Sequence, residues 1–147
     1  MQKARIIEEH RTNYIISAGD DEFVATVRGS FFYEKNFPKV GDYILFTPAS
    51  LGKAVIEEVL PRTSTVVRKE VETGDTQIIV ANVDVIFIVV GLDGDFNLNR
   101  LERYLLLAKQ SDIKAVVVLN KCDGVDNVDE YIEQVKTVAA GISVLAV

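Results

Sequence analysis

Between Ala4 and Leu60, apolar and polar residues alternate in short runs broken by turn residues, the period expected of half-buried β-strands. Ala4–Glu8 and Asn13–Ser17 are β-rich, and Gly19-Asp20-Asp21 has the chemistry of a hairpin turn. Phe23–Arg28 alternates with Phe23, Ala25 and Val27 on one face, and Gly29 ends it. Tyr43–Phe46 follows Gly41-Asp42. Pro48–Gly52 then turns the chain into Ala54–Leu60, which Pro61 stops. Five short strands without a helix-length pattern predict a small closed β-barrel over residues 1–69. The five-stranded OB-fold fits best, and an SH3-like barrel is its rival.

From Val83 the rhythm changes. Val83–Val90 is a near-continuous β-branched run, which predicts a strand buried on both faces of a parallel sheet. Asn97 and Asn99 are candidate N-caps, Asn99 with Glu102 at capping-box spacing. The helix that follows places Leu101, Tyr104, Leu105 and Ala108 on one side. Ala115–Leu119 reads as a second buried strand. Asp126–Ala139 reads as a second helix on Val128, Ile132, Val135 and Val138, with Gly141 at its stop. Ile142–Val147 begins a third strand. Strand-helix-strand-helix-strand with short links means right-handed crossovers and a parallel sheet, a partial three-layer α/β unit over 83–147 after a linker at 70–82. Three strands alone leave unpaired edges and apolar faces, so this half is expected to be mobile, self-associated or propped against the barrel.

Composition narrows the class. A 147-residue chain with 48% hydrophobic and 26% charged residues builds a real core, which excludes wholesale disorder. Cys122 is the only cysteine and has no internal disulfide partner, which favours a reducing compartment. Charges interrupt Met1–His10, so no secretory signal is read there, and the longest apolar runs are too short to span a bilayer. The expectation is a cytoplasmic protein with no membrane partner. The net charge of −6 argues against a generic nucleic-acid binder, and DNA is not expected as a partner. That total conceals an asymmetry: ten Lys/Arg face nine Asp/Glu through Lys69, and six face thirteen from Glu70 onward. Basic groups to spare lie in the front part.

Ligands of parallel α/β sheets bind beyond the carboxyl ends of the strands, and Asn120-Lys121-Cys122-Asp123 falls there, straight after Val116–Leu119. The chemistry suits guanine. An ionised Asp123 accepts two parallel hydrogen bonds, and guanine offers two adjacent donors, N1–H and the exocyclic amine. Adenine lacks that pair and leaves the carboxylate unmatched, at a cost of about 1–3 kcal/mol or more. Asn120 can donate to the acceptor edge and brace the loop, while the Lys121 stem lies along the base plane. Cys122 needs no role. The plainer alternative is a solvated polar loop at the end of a strand. No Gly-x-x-x-x-Gly-Lys-Ser/Thr occurs anywhere, and Gly91-Leu92-Asp93-Gly94 has neither the length nor the lysine for one, so nothing cradles β- and γ-phosphates.

Five stretches together resemble a known family: Val40–Asp42, Val55–Arg62, Ile79–Asp84, Leu98–Leu105 and Val118–Asp123. Their order and spacing are similar to those of the circularly permuted ribosome small-subunit-dependent GTPase A family (RsgA/YjeQ/YloQ), across the whole chain. The resemblance implies an N-terminal OB-fold that binds ribosomal RNA. It also implies a GTPase domain whose guanine motif precedes its phosphate loop, the start of a circularly permuted P-loop domain. It further implies GTP or GDP as ligand through Asn120, Lys121 and Asp123, the small ribosomal subunit and its rRNA as partners, and a role in late maturation of that subunit. The chain departs from the family by ending after Val147, short of the phosphate loop and switches. Catalysis is therefore expected to be absent from these residues alone, and Mg²⁺ and zinc are expected only with the complete protein.

Arg28, Lys35 and Lys39 surround Phe31-Phe32-Tyr33, a mixture suited to phosphate contact and base stacking. Arg62, Arg68 and Lys69 form a second basic group, making six candidate RNA contacts. The competing explanation is that the aromatics close one end of the barrel and the charges are ordinary solvated surface. His10 stands alone and is expected to be exposed. Asp93 and Asp95 lead into a helix and are expected to serve its positive end. Glu57-Glu58 fall on opposite faces of a strand, unsuited to joint acid–base work. The alternative for the whole chain is a stand-alone RNA-binding or interaction module with no nucleotide activity.

Overall fold

A computed structural model describes residues 1–147, which divide into two compact units, Met1–Val83 and Asp84–Val147. The first contains β1 (Gln2–Glu9), β2 (Tyr14–Ala18), β3 (Asp21–Val27), a one-turn helix α1 (Phe31–Glu34), β4 (Tyr43–Pro48) and β5 (Lys53–Val59). These strands close into a barrel in the order β1-β2-β3-β5-β4, with β3 and β5 parallel and the other pairs antiparallel. This is the closed five-stranded Greek-key path of the OB-fold, and the SH3-like rival falls away. Alternation does the sorting. Ala4, Ile6, Tyr14, Ile16, Ala25, Ile44, Phe46, Ala54 and Ile56 point inward and form the core, and Phe23 and Val27 pack against it. Phe31 from α1 plugs the barrel, while Phe32 and Tyr33 remain exposed.

The stretch expected to be a linker contains a strand. β6 (Thr65–Lys69) and β7 (Thr76–Ala81) pair antiparallel as a hairpin, joined to the barrel by a Val40–Val80 bridge. A polar cluster fixes this junction. Asp42 is fully buried, and its carboxylate accepts from Lys39 N at 2.7 Å and from both Nε and Nη2 of Arg62 at 2.7 Å. Asn82, in the left-handed region at φ 54, accepts from Thr63 N at 2.8 Å and donates to Gly41 O at 3.0 Å. Arg5 donates to Gly41 O and Asn82 O. Gly41 has φ +91, and a Cβ there would stand 2.0 Å from Ala81 O, so only glycine allows the hairpin this close.

The second unit runs β8 (Val85–Gly91), α2 (Leu98–Gln110), β9 (Lys114–Asn120), α3 (Val128–Val138) and β10 (Ser143–Ala146). The sheet order is β10-β9-β8, with β9 central and parallel to both neighbours. Asn97 is the N-cap of α2, accepting from Arg100 N at 3.0 Å, and the Asn99 capping box is not used. Leu101, Leu105 and Ala108 are buried, whereas Tyr104 of the expected stripe is half exposed. Both crossovers step in the same direction, so a common handedness puts α2 and α3 on one face of the sheet. That face, with Ile88, Val90, Val117 and Leu119, forms the core. The expectation that the first strand is buried on both faces is corrected: Val85, Phe87 and Val89 are exposed on the uncovered side. No helix is long and apolar enough to cross a membrane.

Candidate guanine-recognition site and basic surface

Parallel register brings Gly91 opposite Asn120 and Ala146 opposite Leu119, so three strand ends open on one edge. Leu92 N donates to Asn120 O at 3.0 Å, and Cys122 N donates to Val147 O at 3.0 Å, tying the central loop to both neighbours. Asn120, Lys121 and Asp123 therefore sit at the mouth of the sheet. Asn120 Oδ1 accepts from Lys121 N at 2.9 Å and braces the turn, leaving its amide group without a protein partner. Lys121 takes the left-handed conformation, φ 62 and ψ 38, which costs about 1–3 kcal/mol in a non-glycine residue. Asp123 lies in a single 3₁₀ turn, Cys122–Gly124, exposed and without an ion pair or hydrogen bond to its carboxylate. An acceptor pair free of protein partners is what a ligand with two parallel donors requires.

The Lys121 ammonium forms an ion pair with Asp93 from the loop after β8. The Lys121 hydrogen bond holds the Asp93 carboxyl below the usual carboxylate range, and Asp93 in turn raises the Lys121 ammonium. Asp93 thus does not serve the start of α2. Asp95 is the residue that stays near it, paired to Arg100 at 3.0 Å. Cys122 is partly buried, and its thiol donates to Leu119 O at 3.2 Å. A separate cavity of about 600 Å³ lies at the opposite edge of this unit, lined by Leu105, Lys109, Ile113, Val138 and Ile142. The motif side chains do not reach it, so position at the carboxyl edge, not cavity size, carries the assignment.

The structure separates the six basic candidates. Arg62 is committed to Asp42, with its Nη2 also donating to Phe37 O, and this removes its fork from the phosphate contacts expected of it. Arg28 pairs with Glu57 at 3.1 Å and Lys39 with Glu9 at 3.1 Å, so both are locally neutralised. Lys35 is exposed at the end of α1. Arg68 and Lys69 are exposed on the hairpin, with Arg68 touching only the neutral Gln77. Sequence reasoning missed one cluster. The cations of Lys3 and Arg5 lie 4.8 Å and 5.1 Å from the Tyr43 ring centroid on the outer β1–β4 face, and neither pairs with an acid. The signal was the outward alternation of Lys3, Arg5 and Tyr43, but the pairing of the two strands lay hidden until the barrel closed.

An OB-type barrel followed by a parallel α/β unit, with Asn120-Lys121-Cys122-Asp123 at the end of its central strand and no phosphate loop before it, is the arrangement of the circularly permuted GTPases. Solved structures share it. YjeQ from Thermotoga maritima superposes with a TM-score of 0.69 at 23% identity, covering 99% of this chain and 51% of that one. YloQ, described as a circularly permuted GTPase, gives 0.66 at 23% identity over 99% of this chain and 51% of its own. The profile of the RsgA GTPase family matches residues 59–147. Small ribosomal subunit biogenesis GTPase RsgA 2 of Lactiplantibacillus plantarum is 37% identical over 142 residues, 94% of this chain and 40% of that protein. RsgA 1 of Bacteroides thetaiotaomicron is 36% identical over 92% of this chain and 40% of its own length. The chain belongs to the RsgA GTPase family, and it spans about 40% of the length of these relatives.

Proposed function

We propose that this chain supplies the RNA-docking barrel and the base-recognition part of a cytoplasmic GTPase that acts in late maturation of the small ribosomal subunit. Asp123 accepts from N1–H and the exocyclic amine of guanine, Asn120 donates to the acceptor edge, and the Lys121 stem lies along the ring. GTP and GDP are the ligands. The barrel meets subunit RNA through Lys3 and Tyr43, with Lys35, Arg68 and Lys69 adding phosphate contacts, while the Arg5 guanidinium is held by Gly41 O and Asn82 O. Arg28 and Lys39 can join only by leaving their acid partners.

The observation that carries this reading is the placement of Asn120–Asp123 at the carboxyl end of a central parallel strand, with the Asp123 carboxylate unclaimed by the protein. Titration calorimetry with GTP and ATP tests it, together with Asp123→Asn. The variant amide keeps one acceptor and gains a donor, which suits xanthine, where a carbonyl replaces the exocyclic amine. Guanine binding should fall and xanthosine nucleotide binding should rise. Equal affinity for ATP and GTP, or an Asp123→Asn protein that prefers neither base, overturns the assignment.

A further inference from the structure

We infer that Asp93 is a positioning residue for base recognition, holding the Lys121 ammonium so that the lysine stem is fixed as the platform for the purine ring; this rests on the guanine reading above. Three observations support it. The Asp93 carboxylate pairs with the Lys121 ammonium across the mouth of the sheet, joining the loop after β8 to the loop after β9. Lys121 has a left-handed backbone, which aims its side chain out of the regular strand path, and a four-carbon stem left free would sample many rotamers. Anchoring the far end of that stem removes this freedom before the ligand arrives.

The third observation concerns Gly91. Its ideal Cβ would lie 2.8 Å from Asp93 Oδ1, so the carboxylate occupies the space that any larger residue at 91 would fill. The backbone there is not in the left-handed region, so conformational freedom does not account for a glycine at the end of β8. A Cβ there would crowd the Asp93 carboxylate where it now meets Lys121. Leu92 N, bonded to Asn120 O, fixes the intervening residue to the motif strand, and the pair is thereby set at a defined height above the strand ends. Asp93 does not contact the base in this arrangement. It acts through Lys121.

The test is GDP binding by titration calorimetry in wild type, Asp93→Ala, Lys121→Ala, the double variant, Asp93→Asn and Gly91→Ala. Asp93→Ala should weaken GDP about two- to fivefold, the range of an exposed ion pair, with the melting temperature unchanged. The double variant should bind no more weakly than Lys121→Ala alone, because Asp93 has no route to the ligand except that lysine. Asp93→Asn, which keeps an acceptor oxygen, should recover part of the loss. Gly91→Ala should reproduce Asp93→Ala by displacing the carboxylate. Wild-type affinity in Asp93→Ala, or losses that multiply in the double variant, overturns the positioning role. Asp123→Ala separates the two readings. If it abolishes GDP binding while Asp93→Ala changes nothing, only the role of Asp93 falls. If Asp123→Ala binds GDP like wild type, or wild type takes up none, base recognition itself fails and the role of Asp93 with it.

Discussion

Arg62→Ala is predicted to destabilise the barrel unit while leaving the α/β unit as it is. The Asp42 carboxylate is fully buried and takes two 2.7 Å bonds from Arg62. Asp42 holds the Arg62 guanidinium above its ordinary value through that hydrogen bond. Removing the arginine leaves a buried carboxylate with only the Lys39 N–H bond, and breaking such a pair from one side costs about 3–5 kcal/mol. The surviving bond places the cost near the lower end, about 3 kcal/mol. For a unit of this size that lowers the melting temperature by roughly 10–20 °C. Thermal unfolding followed by methyl NMR reads the two units separately, with Ile6, Ile16, Ile44 and Ile56 reporting the barrel and Val117 and Leu119 the sheet. Arg28→Ala is the control, because its exposed pair with Glu57 contributes about 0–1 kcal/mol. If both variants shift the barrel signals by the same few degrees, the buried-pair argument is wrong and Arg62 returns to the candidate RNA contacts.

Gly41→Ala should cost the same unit about 2 kcal/mol or more, since a backbone oxygen 2.0 Å away cannot step aside and φ +91 is strained for alanine. Rapid protease cleavage in the 70–75 loop would register the loosened hairpin, and cleavage at the wild-type rate would contradict this. Burial, with help from Glu9 and Asp42, pushes the Tyr14 phenol above its usual value of 10.0. The unfolded chain therefore loses this proton first, and the stabilisation present below pH 10 is lost as pH rises toward the folded pKa. Tyr14→Phe should flatten that alkaline limb in urea titrations, and an unchanged slope would rule Tyr14 out. Lys3→Ala should weaken binding to small-subunit RNA fragments and reduce the slope of log K against log salt by about one. A slope that does not move would remove the β1–β4 face from the interface.

The barrel was legible because its strands mostly alternate with a period of two and turn residues such as Gly19, Gly29, Gly52 and Pro61 mark several of their ends, although register shifts in β1 and β4 interrupt the alternation. The position of Asn120–Asp123 at a strand end was legible because strand, loop and helix are contiguous in the chain. What escaped was long-range. Thr65–Lys69 and Thr76–Ala81 pair across a polar 70–75 loop, and the charge shift at Glu70 drew attention to a linker there. Arg28, Lys39 and Arg62 looked free because Glu57, Glu9 and Asp42 reach them only after the barrel closes. The bare face of the second sheet shows the same limit: Val85, Phe87 and Val89 carry the composition of a buried strand, and only the direction of the crossovers reveals which side has a cover.

The junction at Asp42 and Asn82 decides where this molecule can be cut. Excising residues 1–69 as a minimal RNA-binding piece would keep all five barrel strands yet discard Asn82, the partner of Gly41 O and Thr63 N, and strip Arg5 of one of its acceptors. Such a piece would fray where Thr63 enters the missing hairpin. One ending at Val83 retains every bond of the cluster and is the smaller unit that should express as an intact fold.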